Sequence, residues 1–307
     1  MQNDFLQLNK KNKTFPIKNL LSFGTAVLRK KKILKSRHEA RLLMSKELKS
    51  NELFITLHDN LEISKEKKVF FLKNIYKRYC GKPISRIFGK REFYSRDFFI
   101  NKFTLDPRPE SEFLVDISLE LIRRIKKNNI SVLDLGTGSG CLIISIILEA
   151  QKKLKKIINA SGVDYCEKSV EVAKKNKKRF NLGDNLKFYK SDWFSNIKNK
   201  FDIIISNPPY IKSDDIEVLP DTVKIYDPLL ALDGGINGLD SYQNIQKDVD
   251  KYLNNFGFLC LEIGDDQNEA VKKVFTNNSL RLHKQYSDYS GVVRNVVFQL
   301  GKKDLKK

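Results

Sequence analysis

The sequence has few of the residues on which metal and redox sites depend. Its 307 residues include only four cysteines and three histidines. The cysteines, at positions 80, 141, 166 and 260, form no Cys-x-x-Cys pair, and the histidines, at positions 38, 58 and 283, are equally dispersed. Closely spaced Cys and His are the usual ligands of zinc. We therefore predict no metal site, and cysteines that remain reduced.

Long hydrophobic runs are also missing. No stretch approaches the roughly 18 apolar residues that a membrane-spanning helix needs. The first residues, MQNDFLQLNKKNK, are polar and include Asp4, unlike a secretory signal or an acid-poor transit peptide. Hydrophobic residues still make up 41% of the chain, which is typical of globular proteins. We predict a cytoplasmic protein with no membrane partner.

Positive charge is abundant and unevenly distributed. The net charge is +20, and residues 1–90 carry 22 Lys and Arg against 7 Asp and Glu, whereas the remaining residues carry 35 against 30. One interpretation is a basic N-terminal module that binds an anionic partner, such as RNA or a ribosome-associated protein. The other is a Lys-rich bias of all solvated surfaces, since the lysine runs lack interleaved aromatics.

Helical periodicity dominates residues 22–81. The segments SFGTAVLRKKKIL and SRHEARLLMSKEL are amphipathic, with Ser36 as the expected N-cap of the second. In SKEKKVFFLKNIYKRYCG the spacing places one apolar face on a helix that Gly81 ends; this face comprises Leu72, Ile75, Tyr76 and Tyr79. We predict a helical domain over residues 1–90, followed by a hairpin linker over 91–107, where aromatics alternate with turn residues.

Helices and strands alternate after Glu112. Strand segments such as SVLDLG, ASGVDY and FDIIIS are separated by helical ones such as CLIISIILEAQKKL. This order predicts an α/β fold over residues 108–307: a Rossmann-like, mostly parallel sheet with helices on both faces and antiparallel strands at the end.

A glycine-rich segment, DLGTGSG, follows the first of these strands. Ligands of open α/β sheets bind at such strand ends, and glycine lets the backbone approach them closely. The dinucleotide fingerprint needs its third glycine at position 141, but here it is Gly140. The spacing instead resembles the motif that holds S-adenosylmethionine, although a structural Gly-rich turn remains the alternative. The candidate cofactor-binding residues are Gly136, Thr137, Gly138, Ser139 and Gly140.

Acidic residues end the next two strands. Asp164 can accept the two ribose hydroxyls of a nucleoside, or it can cap the helix that follows. Asp192 can accept from an adenine amino group, and Trp193 offers an apolar face to the base, unless it is simply buried. Three consecutive strand ends of this kind predict one adenosine-shaped site.

The fourth strand, FDIIIS, ends in Asn207, Pro208, Pro209 and Tyr210. Proline has no N–H, so this strand end offers carbonyl acceptors with few competing donors. Such a site suits a planar –NH2 group, whose two hydrogens need acceptors that orient it and stabilise the charge developing as its nitrogen attacks a sulfonium methyl. Tyr210 can pack on the flat group. These four residues are the candidate catalytic and substrate-binding residues, and Asn207 is also a candidate cofactor-binding residue.

Several blocks besides NPPY resemble those of the peptide chain release factor glutamine methyltransferases, the PrmC/HemK family. The resemblance extends from about Ser22 to the C-terminus, and the blocks follow one another in the order expected of the family. They are PI and GKREF within 83–93, PRPESE at 107–112, SDWF at 191–194, SNPPYI at 206–211, DP with AL, GG and GL within 227–239, EIG at 262–264 with Gln267, and Asp288, Gly291 and Arg294. Three positions depart from the family pattern: Asp106, Ser111, where Thr is usual, and Val293.

The resemblance implies a function. Family members join a helical domain that docks the release factor to a Rossmann-like catalytic domain. They methylate the side-chain amide of the glutamine in the factor's Gly-Gly-Gln loop and leave S-adenosylhomocysteine. We accordingly expect class 1 release factors as partners, no direct nucleic-acid binding, and a monomer. The alternative is a nucleic-acid methyltransferase acting on adenine or guanine amino groups, which would use the same strand end.

Overall fold

The chain divides into two units, Met1–Phe88 and Gly89–Lys307. The computed structural model describes residues 15–276, 279–288 and 290–301. Within that part of the chain, no helix is long and apolar enough to cross a membrane.

The first unit is built from five helices and one short antiparallel strand pair among its described residues, 15–88. The pair joins β1 (Phe15–Pro16) to β2 (Glu62–Ile63). The helices are α1 Ile17–Lys30, α2 Ser36–Leu48, α3 Glu52–Leu57, α4 Lys65–Tyr79 and α5 Ile84–Phe88.

Helices α1 and α4 approach each other closely at Gly24. A Cβ at this position would lie 2.9 Å from Ile75 Cδ1 and 3.0 Å from Phe71 Cζ, so a larger side chain would push the two helices apart. Apolar side chains from both helices and from α2 form the core of the unit; they include Ile17, Leu20, Leu28, Leu43, Met44, Phe71 and Ile75.

Two local predictions in this unit were wrong. Ser36 is the first residue of α2 rather than its N-cap, which is Lys35, and the Ser36 hydroxyl donates to the Ile33 carbonyl instead of accepting from the helix. The buried face of α4 is made by residues 68, 71, 72 and 75, so Tyr76 lies at its edge and is 43% exposed.

The second unit begins with a hairpin of β3 (Lys90–Phe93) and β4 (Arg96–Phe99). Its two turn residues have positive φ, 50° for Tyr94 and 58° for Ser95, although neither is a glycine. Hydrogen bonds to the next helix hold Tyr94 there: its N–H donates to Glu112 at 2.7 Å and its hydroxyl to Asp116 at 2.7 Å.

The rest of the second unit alternates strands and helices, as the sequence predicted. The helices are α6 Glu112–Arg124, α7 Cys141–Glu149, α8 Glu167–Arg179, α9 Asp221–Lys224, α10 Asp240–Tyr252 and α11 Asn268–Phe275. The strands are β5 Asn129–Leu135, β6 Ile157–Asp164, β7 Leu186–Lys190, β8 Phe201–Ser206, β9 Leu253–Glu262, β10 Leu280–Ser287 and β11 Val293–Leu300.

These strands form one sheet in the order β10-β11-β9-β8-β5-β6-β7. Strands β5 to β9 are parallel, whereas β11 pairs antiparallel with β9 and β10 antiparallel with β11. The predicted Rossmann-like fold is thus confirmed. After β5 the chain adds β6 and β7 on one side and returns to β8 on the other, which creates a topological switch point where ligands of such sheets bind.

Candidate active site

The glycine-rich segment connects β5 directly to α7. Gly136, Gly138 and Gly140 all have positive φ, of 71°, 54° and 79°, a backbone region that glycine enters at no steric cost. The Thr137 hydroxyl donates to Asp134 Oδ2 at 2.6 Å. Burial raises the pKa of Asp134 to about 7, opposed by that hydrogen bond. The glycines therefore allow the conformation of the loop, and the hydrogen bond from Thr137 to the buried Asp134 stabilises it.

Phe188 of β7 packs under this loop because two glycines leave it room. A Cβ at Gly162 would lie 2.4 Å from Phe188 Cε1 and 2.7 Å from Thr137 Oγ1, and a Cβ at Gly140 would lie 2.9 Å from Phe188 Cζ. Real Cβ atoms do not approach other atoms so closely. The Phe188 ring thus packs directly against the backbone at Gly140 and Gly162.

Asp164, at the end of β6, is bonded to the loop beside it. Its Oδ2 accepts from the Gly138 N–H at 2.9 Å and its Oδ1 from the Cys166 N–H at 2.8 Å. The N-cap of α8 is Cys166, so the alternative role of Asp164 as that cap was wrong. Each carboxylate oxygen keeps a second lone pair, which leaves Asp164 able to accept from a ligand.

Residues 191–196 form a tight turn after β7. The Ser191 hydroxyl donates to the Trp193 carbonyl at 2.8 Å and accepts from the Asn196 N–H at 3.1 Å. Asp192 is exposed. Trp193 has a φ of 45° and is half-buried against the core on one face of the sheet, so its burial is only partial.

The NPPY segment follows β8, every residue of which is buried. Asn207 Nδ2 donates to Ser111 Oγ at 2.9 Å. The Tyr210 carbonyl accepts from Gln267 Nε2 at 2.9 Å, and burial raises the pKa of the Tyr210 hydroxyl above its ordinary value. The segment is therefore anchored at both ends by side chains from elsewhere in the unit.

A cavity of about 480 Å³ lies at these four strand ends. It brings most of the sequence-predicted residues together: Gly136, Thr137, Gly138, Ser139, Asp164, Asp192, Trp193, Asn207 and Pro209. The remaining three, Gly140, Pro208 and Tyr210, are chain neighbours of lining residues and do not themselves line it.

Other residues of the cavity region were not singled out as site residues from the sequence. Arg108 lines the cavity and pairs with the buried Asp227 at 2.6 Å, 119 positions away in the chain. Ser111 lines it as well. Their sequence blocks were noticed, but no spacing rule connects residues so far apart, and only the fold reveals which of them meet.

The donor set fits an adenosine-type cofactor with an amino-acid tail. The space beside Gly136, which has a positive φ, is open, because a Cβ at this position would meet no atom within 4 Å. A ligand can therefore approach the loop backbone there. A carboxylate and an indole follow at the neighbouring strand ends, beside apolar lining from Leu142. This combination offers an acceptor for hydroxyls, an aromatic face for a flat base and room beside the loop backbone in one cavity.

Comparison with known proteins agrees with this fold. Residues 126–304 match a family described as "Methyltransferase domain", and residues 19–89 match the "PrmC N-terminal domain". The chain is thus a methyltransferase with a distinct N-terminal module. Among solved structures, the hMettl16 catalytic domain in complex with the MAT2A 3'UTR hairpin 6 has a TM-score of 0.54 at 14% identity, covering 78% of this chain and 84% of that one; this likeness concerns the fold alone.

Curated relatives show which family of methyltransferases this chain belongs to. The "Release factor glutamine methyltransferase" of Agrobacterium fabrum (strain C58) is 38% identical over 229 residues, which cover 73% of this chain and 77% of the relative. The protein of the same name from Buchnera aphidicola subsp. Schizaphis graminum is 35% identical over 255 residues, covering 83% and 89%. This chain belongs to the release factor glutamine methyltransferase family.

Proposed function

We propose that this protein transfers a methyl group from S-adenosylmethionine to the side-chain amide nitrogen of the glutamine in the Gly-Gly-Gln loop of class 1 peptide chain release factors. Membership of the family supports the substrate. The observation that carries the chemistry is the hydrogen bond from Asn207 Nδ2 to Ser111 Oγ. Asn207 lines the cavity, and because its side-chain nitrogen is engaged by Ser111, its side-chain oxygen would be the group that accepts from a ligand there.

The residues that follow β5, β6, β7 and β8 would each bind a different part of the cofactor or the substrate. Gly136 to Gly140 would hold the tail of the cofactor by backbone approach, Asp164 would accept from the ribose, and Asp192 with Trp193 would hold the adenine. The bound cofactor supplies a methyl group that its sulfonium sulfur makes electrophilic, and S-adenosylhomocysteine remains after transfer. Asn207 would touch the cofactor and the target amide alike.

The NPPY segment would prepare the target nitrogen. The lone pair of an amide nitrogen is delocalised into its carbonyl, so the group needs help to act as a nucleophile. The Asn207 side-chain oxygen and a backbone carbonyl of the Asn207–Pro208–Pro209 segment, whose first and last residues line the cavity, can accept its two hydrogens, which orients the nitrogen and stabilises the positive charge that develops on it. Tyr210 would pack against the flat amide. As the N–C bond forms, the C–S bond of the cofactor breaks and one amide proton is released to water, so no covalent enzyme intermediate is needed.

Removing the Asp164 carboxylate should weaken cofactor binding. In Asp164→Ala the ribose loses charge-assisted hydrogen bonds worth roughly 1.5–3 kcal/mol each, part of which water restores. We expect the affinity for S-adenosylmethionine, measured by calorimetric titration, to fall at least about tenfold. Asp184 is exposed, so Asp184→Ala is the matched control and should bind S-adenosylmethionine as the wild type does. Unchanged affinity of Asp164→Ala would remove Asp164 from the site.

The substrate class can be tested directly. The protein is incubated with labelled S-adenosylmethionine and, in separate reactions, a purified release factor, tRNA, rRNA or DNA. We expect label in the release factor, at the glutamine of its Gly-Gly-Gln loop. Label in a nucleic acid with none in the factor would instead identify the protein as a nucleic-acid amino-methyltransferase.

We also propose that the N-terminal unit docks the release factor through a basic groove. A groove of about 490 Å³ is lined by basic side chains, hydroxyl groups, one carboxylate and the apolar residues Leu21 and Ala26. Arg29 and Arg37 are exposed there, where they can meet carboxylates of a partner protein. The polar residues of this basic groove are Lys18, Ser22, Thr25, Arg29, Arg37, Arg41, Thr56 and Asp59.

Docking through charge predicts a difference in salt dependence between two substrates. Added salt screens exposed charges, so methylation of a whole release factor should weaken, while methylation of a short Gly-Gly-Gln peptide should change far less. Arg37→Glu should weaken only the former, whereas Lys187→Glu, an exposed change in the second unit, should spare both. Equal salt dependence for both substrates would favour a compositional origin of the positive charge.

The remaining expectations accompany this function. We propose that the protein acts as a monomer, that it does not bind nucleic acid directly, and that it acts in the cytoplasm, where peptide chain release takes place. Sedimentation of the free protein, and the nucleic-acid reactions above, test the first two.

A further inference from the structure

Three polar side chains meet in the protein interior beside the NPPY segment. Ser111 precedes α6, Asn207 follows β8 and Glu262 ends β9. Ser111 and Glu262 are each only 4% exposed, while Asn207 lines the cavity. The three residues come from distant parts of the sequence, and Ser111 and Asn207 alone are 96 positions apart.

The hydrogen bonds of this cluster are directional. Ser111 Oγ accepts from Asn207 Nδ2 at 2.9 Å. Burial raises the pKa of Glu262 to about 7, while hydrogen bonds from Ser111 and Asn207 act to lower it. Glu262 Oε2 has no hydrogen-bond partner of its own among the described residues. The inner side of the Asn207 amide therefore faces acceptors.

The two ends of an asparagine amide are opposite in function, because the oxygen only accepts and the nitrogen only donates. An ionised carboxylate also only accepts, so it attracts Nδ2 and repels Oδ1. If the amide turned over, Oδ1 would face Glu262 in a buried environment and Nδ2 would face the cavity. An N–H donor in that place cannot receive the hydrogens of a target amide.

We propose that Ser111 and Glu262 are positioning residues, which hold the Asn207 amide with its nitrogen inward and its oxygen toward the cavity. They thereby set the acceptor that receives the target –NH2 group. The inference rests on the proposed function and extends it to two residues that act through the orientation of Asn207.

The Ser111 hydroxyl can be tested by a matched pair of variants. Ser111→Ala removes the acceptor of the Asn207 Nδ2 hydrogen, and we expect kcat on a release factor to fall about tenfold at saturating cofactor, with a much smaller change in KM. Ser111→Thr keeps a hydroxyl at the same position and should retain most of the activity. A wild-type kcat for Ser111→Ala, or an equal loss in Ser111→Thr, would overturn the proposal.

Glu262 provides a second readout through pH. A protonated Glu262 can donate to Asn207 Oδ1 and so favours the wrong orientation. The wild-type kcat should therefore fall on the acid side of neutrality, because the carboxylate is present above its pKa and lost below it. Glu110 and Arg294 also act on this carboxyl group, in opposite senses, and Tyr210 and Tyr242 lie within its electrostatic reach.

The variant Glu262→Gln keeps an accepting oxygen but cannot ionise. We expect it to retain partial activity with the acid-side fall removed, and an unchanged acid limb would contradict a role for Glu262. If this buried variant does not fold, the Ser111 pair still decides the question. Inactivity of the wild-type protein on release factors would defeat the proposed function itself, a result distinct from active wild type with insensitive variants.

Discussion

Asn207→Ala is expected to be almost inactive on a release factor even at saturating S-adenosylmethionine. The substitution removes the side-chain acceptor aimed at the charge that develops on the target nitrogen, a loss that typically costs on the order of 10²–10³ in rate. The single-turnover rate of methyl transfer measures this step without product release. Full activity of the variant would exclude Asn207 from the chemistry.

Tyr210→Ala separates substrate positioning from cofactor binding. Tyr210 does not line the cavity, so the variant should bind S-adenosylmethionine as the wild type does. Because Tyr210 is proposed to pack against the target amide, the variant should still lose most of its turnover. Asn207→Ala, in contrast, should weaken cofactor binding as well, because Asn207 does line the cavity. Calorimetric titration of both variants distinguishes the two roles.

A release factor with glutamate in place of its target glutamine should not be methylated. A carboxylate has no hydrogens to donate, and its oxygens would face the Asn207 side-chain oxygen and the proline carbonyls. Burying such a charge against acceptors costs far more than one hydrogen bond. Mass spectrometry of the modified factor should detect no added methyl group.

The same altered factor provides its own control for binding. If docking occurs through the N-terminal unit, the glutamate variant should still compete with the unaltered factor and inhibit its methylation. Inhibition without methylation would place the defect in the chemical step. Methylation of the glutamate variant would contradict the acceptor arrangement proposed for the NPPY segment.

Strand ends were the most predictable part of this protein. Parallel strands finish at the same edge of a sheet, so once the alternation of helices and strands was recognised, residues after β5, β6, β7 and β8 had to lie close together. The cavity contains Gly136, Asp164, Trp193 and Asn207 as this argument requires. Their roles toward a ligand stay predictions.

Contacts that cross the chain were beyond sequence reasoning. Nothing in the sequence indicated that Ser111 would reach Asn207 or that Arg108 would reach Asp227, since side-chain pairing depends on the tertiary fold. Local exceptions were missed too. The turn at Tyr94 and Ser95 has two positive φ angles without the Asn-Gly or Asp-Gly that usually announces them, because contacts with α6 stabilise it.

Phe188 has a consequence for how this protein can change during evolution. Its ring occupies the space that side chains at Gly140 and Gly162 would need. A side chain at Gly162 would clash with Phe188 and with Thr137. Phe188→Ala by itself would leave a cavity, which typically lowers the free energy of unfolding by about 3–5 kcal/mol. A larger residue at position 162 would therefore require changes at both Phe188 and Thr137, so residues 137, 162 and 188 are coupled by epistasis and should vary together among descendants of this sequence.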